Sequence, residues 1–429
     1  MAPYHVERLP NGLAVAVAPV ATTHQVLLTV LVRVGSRFEP LGLNGVSHAV
    51  EHLLFRGNAR FPDPFSLHRA LEEVGALVNA QTGVESTEVD FVAHPERVSE
   101  ALGCLAALVR SPTFADFEKE RGIIADELRY DYNEANRLIV PATLASQLLW
   151  PGHSLGQSVG GTPETLAALS PEAVRAHHAA HYRPDNVVVG VAGRIEVAVA
   201  LAAVREHFGD WVAPAAPPPP LPDAAPAPDA AGPRLLSVPD QDNQFSLQLS
   251  FPAPPRRSAD EIPVGLLLRI LDDGPNSRLQ RVIREEMALV YSISAGYTAY
   301  EDAGQFDIAT AVAPERLETL LRTVFAELSR FAAEGPTAEE LETARRRHRL
   351  ELGFARDSLG AYIDRYAWPL LYGPIREEDE ELAEMERVTA ERLRTLAADL
   401  FRRQRLHLVL VGPRDAASEA ALRRAVATF

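Results

Sequence analysis

The segment "SHAVEHLL" (47–54) contains two histidines four residues apart, with a glutamate directly before the second one. In a helix, His48, Glu51 and His52 fall on one face, because each residue advances by about 100°. Imidazoles at this spacing can bind one metal ion, and the carboxylate between them can act as a base on a nearby water molecule. The opposite face is apolar and consists of Val46, Val50 and Leu53. The motif alone is also compatible with an ordinary polar helix face.

A catalytic zinc ion needs three protein ligands and one open coordination position. The segment "FEKERGIIADELRYDY" (117–132) offers candidates for the third ligand. In a helix, Glu120 and Glu127 lie two turns apart on the same side, at the border of an apolar stripe. Carboxylates in such a place cost free energy unless a metal or a hydrogen bond compensates them. We predict that Glu127 is the third ligand and that Glu120 orients a metal-bound imidazole. The alternative is that both carboxylates face solvent.

The chain divides at an Ala/Pro-rich stretch, "APAAPPPPLPDAAPAPDAAGP" (213–233), which is typical of a semi-rigid linker. We therefore predict an N-terminal domain over 1–212 and a C-terminal domain over 234–429. Each half mixes alternating, strand-like segments with amphipathic helices, which indicates α+β domains with helices packed on largely antiparallel sheets.

The two halves resemble each other, which indicates a duplicated domain. For example, "EEVGALVNAQTG" (72–83) resembles "EEMALVYSISAG" (285–296), and two further pairs follow in the same order: 91–109 with 310–328, and 113–128 with 337–352. A shift of 217 residues places Gly265, Leu268 and Arg269 opposite His48, Glu51 and His52. The second domain is therefore predicted to have no metal site.

The complete set, His48-Ala-Val-Glu51-His52 followed by Glu127 in "ERGIIADE", resembles the inverzincin signature of the pitrilysin/insulinase family of zinc metallopeptidases. The resemblance is to the short-chain branch, which includes mitochondrial processing peptidase and its bacterial homologues. It extends over nearly the whole chain and includes "LFRG" (54–57), "VNAQTGVEST" (78–87), "YRPDNVVVGVAG" (182–193) and "NSRLQRVIREEMALVYS" (276–292). Asn58 and Val89 depart from the family pattern. Neither residue is a predicted ligand, so these departures concern the fit of a substrate more than the catalytic chemistry.

The resemblance implies one Zn²⁺ per chain, held by His48, His52 and Glu127, with Glu51 as the general base of a zinc endopeptidase. Each chain would form half of a clamshell whose closed chamber admits short or unfolded peptides. The alternatives are the active subunit of a heterodimeric processing peptidase, a maturase for one specific peptide, or a non-catalytic subunit of the same fold.

The resemblance also assigns two pairs of substrate-binding residues. Arg284 and Tyr291 match an Arg/Tyr pair that contacts the substrate near zinc, although a surface arginine paired with a glutamate and a tyrosine in a strand would give the same spacing. Asn79 and Ala80 match an edge strand that binds an extended peptide, with a turn as the alternative. By analogy, the partner is a second copy of the chain or a related metal-free subunit.

The net charge, the cysteine content and the N-terminal residues bear on other possible partners, metal sites and the location of the protein. The 429 residues carry a formal net charge of −16, which argues against nucleic acid or an anionic membrane as a partner. The single cysteine, Cys104, excludes an internal disulfide and Cys-based zinc sites. The N-terminal residues show no secretory signal, so we expect a cytoplasmic location.

Overall fold

The computed structural model describes residues 4–75, 77–224, 232–413 and 416–429. These residues form two compact units. The first unit consists of the described residues of Met1–Leu128, Gln157–Asp223 and Leu352–Arg376. The second unit consists of those of Arg129–Gly156, Ala224–Glu351 and Glu377–Phe429. Both units combine helices with one sheet, which confirms the predicted α+β class.

The sheet of the first unit contains β1 (His5–Arg8), β2 (Ala14–Pro19), β3 (Val26–Val32), β4 (Leu77–Thr82), β5 (Thr87–Ala93) and β6 (Val187–Gly193). Its spatial order is β1-β2-β6-β3-β5-β4. The neighbours β2 and β6 are parallel, and the other neighbouring pairs are antiparallel.

The sheet of the second unit contains β7 (Arg234–Pro239), β8 (Phe245–Ala253), β9 (Ile293–Ala299), β10 (Gly304–Val312) and β11 (His407–Gly412). Its order is β7-β11-β8-β10-β9, with β7 and β11 parallel and the other pairs antiparallel. This order and these directions repeat β2-β6-β3-β5-β4, as a duplicated domain requires.

The helices in chain order are α1 (Val46–Leu54), α2 (Pro64–Glu73), α3 (Val98–Arg110), α4 (Phe117–Leu128), α5 (Pro141–Leu149), α6 (Pro163–Ala168), α7 (Pro171–His181), α8 (Val197–Phe208), α9 (Glu261–Leu271), α10 (Leu317–Glu334), α11 (Ala338–Phe354), α12 (Leu359–Tyr366), α13 (Glu378–Arg387), α14 (Ala390–Leu400) and α15 (Ala416–Ala427). A π-helical segment covers Gln280–Glu286. Among the described residues, no helix has both the length and the apolar character needed to span a bilayer.

Each unit contains one segment from the other half of the sequence. Helix α5 precedes the linker but packs on β8 and β11 of the second unit. Helix α12 follows the linker but packs on β2, β3 and β6 of the first unit. The linker therefore does not show to which unit Arg129–Gly156 and Leu352–Arg376 belong. Each of these segments belongs to the unit whose sheet its apolar side chains cover.

The contact of α12 with the first sheet depends on small residues. Alternate residues of β2 point to opposite faces of the sheet, so its valines join the main core and its alanines face α12. On β6, a Cβ atom at Gly190 would lie 2.8 Å from Ile363 Cδ1 and 2.9 Å from Ala367 Cβ. A larger side chain at position 190 would therefore push α12 away from the sheet.

We expect residues 1–224 and 225–429, produced in one cell as separate chains, to purify as a complex. Each fragment carries a helix that covers apolar sheet surface in the other fragment's unit, and burial of that surface stabilises the association. Affinity purification through a tag on one fragment measures the recovery of the other.

The control for this experiment is Gly190→Val in the first fragment, which should lower the recovery of the second fragment. Recovery of two separately folded fragments that do not associate would contradict the prediction.

Candidate functional site

Helix α1 is held at its first turn by a buried carboxylate. Gly45 precedes the helix with a φ of 92°, a backbone conformation that favours glycine. The Glu39 side chain accepts hydrogen bonds from the backbone N–H groups of Gly45 and Ser47, both at 2.7 Å, and from the Asn44 amide at 2.8 Å. These bonds satisfy N–H groups that have no partner within the helix. Burial raises the pKa of the Glu39 carboxyl.

The three predicted ligands converge. His48 Nε2 and His52 Nε2 are 3.2 Å apart, and Glu127 Oε2 of α4 lies 3.9 Å from the first and 3.5 Å from the second. Tetrahedral zinc with bonds of about 2.0–2.2 Å places its ligand atoms about 3.3–3.6 Å apart. One carboxylate and two imidazoles with these separations therefore fit a zinc ion. The Glu127 side chain is 50% exposed, so the site is open to solvent on that side.

The protonation of His48 suits a ligand. Burial, followed by the neighbouring His52, lowers the pKa of His48 to about 4. The imidazole is therefore neutral at pH 7, and one ring nitrogen has a lone pair available for a metal.

Glu120 contacts His52, the residue whose orientation it is predicted to fix. The Glu120 side chain is only 4% exposed, and its Oε2 accepts a hydrogen bond from His52 Nδ1 at 3.1 Å. With the proton on Nδ1, the Nε2 lone pair of His52 points toward Glu127 and His48. The guanidinium of Arg56, one helical turn after His52, forms an ion pair with Glu120 and compensates its buried charge.

Glu51 lies on the same face of α1 and accepts a hydrogen bond from the Thr82 hydroxyl at 2.5 Å. Thr82 is the last residue of β4, which forms one edge of the first sheet. Asn79 and Ala80 lie within this strand and not in a turn, and the Asn79 amide donates to Asp90 of β5 at 3.0 Å. The predicted base and the predicted peptide-binding strand are therefore in contact.

The second unit has an ion pair where the repeat places the metal residues. Arg269 of α9 corresponds to His52, and Glu351 of α11 corresponds to Glu127. Arg269 Nη2 lies 2.5 Å from Glu351 Oε2, and Arg269 Nη1 lies 3.1 Å from Asp273. Across the described parts of the chain, His48, His52 and Glu127 are the one group of three side chains arranged to hold a metal.

Arg284 and Tyr291 belong to the second unit. Arg284 lies in the π-helical segment Gln280–Glu286, and its Nε is 3.7 Å from the carboxylate of Glu285. Tyr291 precedes β9 and is 92% exposed. Tyr291 is therefore not packed in a strand, whereas Arg284 beside Glu285 is the surface ion pair that the alternative interpretation describes. A role of the two residues in catalysis stays a prediction.

Sequence reasoning missed Glu39, Arg56 and Thr82. Arg56 could have been found, because it follows His52 by four residues, although it lies just beyond the end of α1. Thr82 lies within the quoted "VNAQTGVEST" (78–87), but no local pattern relates it to Glu51. Glu39 likewise reaches α1 only through the folded loop.

Three histidines of α7 are buried in the first unit, and one contacts α1. His177 Nε2 lies 2.9 Å from the Ser47 hydroxyl, and His178 Nε2 lies 2.9 Å from the carbonyl oxygen of Val109. Burial lowers the pKa of His177 to about 3 and the pKa values of His178 and His181 to about 4. The folded protein thus keeps these imidazoles neutral at pH 5.

We expect the free energy of unfolding of the metal-free protein to fall as the pH drops from 6.5 toward 4. The unfolded chain binds protons on these histidines at a pKa of about 6.5, whereas the folded chain does not, so protons favour unfolding in this range. The expected loss at pH 5 is about 1 kcal/mol or more for each histidine. Urea denaturation at pH 7.5, 6 and 5 measures it.

His177→Gln should make the pH dependence shallower, since one titrating group is removed. An unfolding free energy that stays constant between pH 7.5 and 5 would contradict this prediction.

Comparison with known proteins identifies the family. Residues 14–162 match the family model described as "Insulinase (Peptidase family M16)", and residues 168–347 match that described as "Peptidase M16 inactive domain". The residues predicted to hold a metal, His48, His52 and Glu127, lie in the first match. The second match covers most of the half that has no such cluster among its described residues.

The relatives agree with these matches. The chain is 28% identical over 398 residues to the "Uncharacterized zinc protease YmxG" of Bacillus subtilis, over 91% of this chain and 94% of that protein. It is 27% identical over 430 residues to an uncharacterized zinc protease of Streptomyces coelicolor, over 98% and 92% of the two chains.

Solved structures agree in fold. A protease from Helicobacter pylori superimposes with a TM-score of 0.88 at 19% identity, over 96% of this chain and 100% of that one. A putative M16-like peptidase from Alicyclobacillus acidocaldarius gives 0.84 at 21% identity, over 96% and 98%. Two adjacent segments match models of one family, and the relatives align over more than nine-tenths of the chain. The chain therefore belongs to peptidase family M16, the pitrilysin/insulinase family.

Proposed function

We propose that this protein is a zinc endopeptidase that hydrolyses short or unfolded peptides. The observation that carries the proposal is the convergence of His48, His52 and Glu127 on the helix face that also carries Glu51. Three protein ligands leave a fourth position for water or substrate, which is the arrangement of catalytic zinc and not of structural zinc.

The residues of the site divide the chemistry between them. When bound, zinc supplies Lewis acidity, which polarises the scissile carbonyl and lowers the pKa of water to about 7. Glu51 accepts the proton of the attacking water and delivers it to the leaving amine. Glu120 keeps the proton of His52 on Nδ1, so that Nε2 is free to bind the metal.

The substrate class follows from the edge strand. An extended peptide can add to the free edge of β4 at Asn79 and Ala80 through main-chain hydrogen bonds, which tolerate many sequences. A short or unfolded peptide can adopt this conformation at low cost, whereas a segment within a folded protein cannot.

The finer part of the proposal concerns a second chain. Arg284 and Tyr291 of one chain would contact the substrate at the zinc site of the other, inside a closed chamber. The protein would then be a homodimer, with a heterodimer containing a related metal-free subunit as the alternative. Size-exclusion chromatography with light scattering distinguishes them, since a monomeric chain without activity would contradict the homodimer.

The test of the proposed function is digestion of a peptide library, analysed by mass spectrometry. The protein depleted of metal by a chelator should cleave nothing, and addition of zinc should restore cleavage of many unrelated peptides. Cleavage of one peptide alone would instead indicate a dedicated maturase. A zinc-loaded dimer that cleaves no peptide would indicate a non-catalytic subunit.

A further inference from the structure

The hydroxyl of Thr82 links the edge strand of the first sheet to the base on α1. It donates to Glu51 Oε2 at 2.5 Å, and it is the sole hydrogen-bond donor to this carboxylate recorded within the described residues. We propose that Thr82 is a positioning residue that holds the Glu51 carboxylate in its reactive orientation. This inference rests on the proposed peptidase function.

The backbone of Thr82 is fixed by the hairpin of β4 and β5. Thr82 pairs with Thr87, whose hydroxyl donates to the carbonyl oxygen of Val34 at 2.9 Å. The turn between the strands is closed by a hydrogen bond from Gly83 N–H to the carbonyl oxygen of Ser86 at 2.8 Å. Thr82 itself is only 8% exposed, so the surrounding residues restrict the movement of its side chain.

One segment of the first unit, residues 36–39, contacts both the hairpin turn and α1. The backbone N–H groups of Ser36 and Arg37 donate to the carbonyl oxygens of Gly83 and Val84 at 3.2 and 2.9 Å. At the other end of the segment, Glu39 caps α1.

The same segment holds the turn through a second, charged contact. The buried guanidinium of Arg37 lies 2.6 Å from Glu85 Oε1. Residues 36–39 therefore fix the position of Thr82 relative to Glu51, independently of the bond between the two side chains.

The chemistry of the contact suits a positioning role. A threonine hydroxyl has one proton to donate, so it can hold one carboxylate oxygen and leave the other for water. Without this bond the carboxylate could rotate among several orientations. Because a misplacement of about 1 Å at a reacting group can cost about 100-fold in rate, loss of the bond should lower kcat more than it alters peptide binding.

The position of Thr82 also relates the substrate to the base. Asn79 and Ala80 lie three and two residues before it on β4, the strand to which the peptide would add. A peptide paired with β4 would thus bind along the same strand whose Thr82 hydroxyl holds the Glu51 carboxylate. We infer that β4 sets the peptide register and the orientation of the base together.

The experiment compares Thr82→Val with Thr82→Ser. Valine keeps the branched shape of threonine but lacks the hydroxyl, whereas serine keeps the hydroxyl. In the zinc-loaded, full-length protein, Thr82→Val should lower kcat about 10- to 100-fold with KM changed by less than about threefold. Thr82→Ser should keep kcat within about threefold of the wild type, and both variants should retain one zinc ion per chain.

Crystal structures of both variants provide a readout that does not depend on activity. The Glu51 carboxylate should move or become disordered in Thr82→Val and should keep its position in Thr82→Ser. An unchanged Glu51 or an unchanged kcat in Thr82→Val would overturn the inference, as would an equal loss of kcat in both variants. If the wild type cleaves no peptide, the proposed function fails, and the Glu51 conformation alone decides the role of Thr82.

Discussion

Glu51→Gln is expected to lower kcat for peptide hydrolysis about 1000-fold while the protein retains one zinc ion per chain. The amide has nearly the size of the carboxylate and its oxygen can still accept the hydrogen bond from Thr82, but it cannot take a proton from water. General acid–base catalysis by a positioned side chain contributes about 10²- to 10⁴-fold, and this contribution would be lost. Steady-state kinetics on a fluorogenic peptide, with metal analysis of the same sample, measures the effect.

The matched control is Glu118→Gln on α4. Glu118 is an exposed carboxylate that pairs with Arg121, and its replacement removes the same charge from the protein surface. This variant should have the kcat of the wild type. If Glu51→Gln retained more than a tenth of the wild-type kcat, Glu51 would not be the general base.

Glu127→Gln is expected to weaken zinc binding at least about 100-fold. Zinc sites with four ligands contribute about 10–16 kcal/mol, or about 3 kcal/mol for each ligand, which corresponds to about two orders of magnitude in affinity. A neutral amide oxygen is a poor replacement for a charged carboxylate at a zinc ion. Competition with a chelator of known affinity measures the change, and a high zinc concentration should restore part of the activity.

The repeat provides a matched control, Glu351→Gln. Glu351 occupies the corresponding position on α11, but it pairs with Arg269 instead of belonging to a metal-binding group. Its replacement should leave the zinc affinity unchanged. Equal zinc affinities of the wild type and Glu127→Gln would exclude Glu127 as a ligand.

Much of the candidate site could be predicted because it follows from local periodicity. The helical repeat alone places His48, Glu51 and His52 on one face of α1 and the apolar residues on the other, and the structure buries the apolar residues as expected. Glu127 was proposed because a catalytic zinc needs a third ligand, because it lies beside an apolar stripe, and because the family resemblance assigns it. Glu120 was proposed because a carboxylate beside an apolar stripe needs a partner, and the structure gives it contacts with His52 and Arg56.

The contacts that could not be predicted join residues far apart in the chain. Thr82 reaches Glu51 across 31 residues, and no repeat or charge pattern relates the two positions. The placement of α5 and α12 was also hidden, since an amphipathic helix shows which face it buries but not which sheet it covers. In both cases the pairing depends on long-range packing.

The amino-acid sequence by itself determined the class of the fold, its duplication and the set of residues that can hold zinc. These features depend on periodicity, on the order and spacing of segments, on side-chain chemistry and, for Glu127, on the family resemblance, all of which are properties of the linear sequence. The tertiary structure alone decided that Thr82 contacts the predicted base and that Glu39 caps α1, because these contacts exist only after folding. It also decided that each half of the chain completes the other's unit, since burial of the faces of α5 and α12 requires both sheets to be formed.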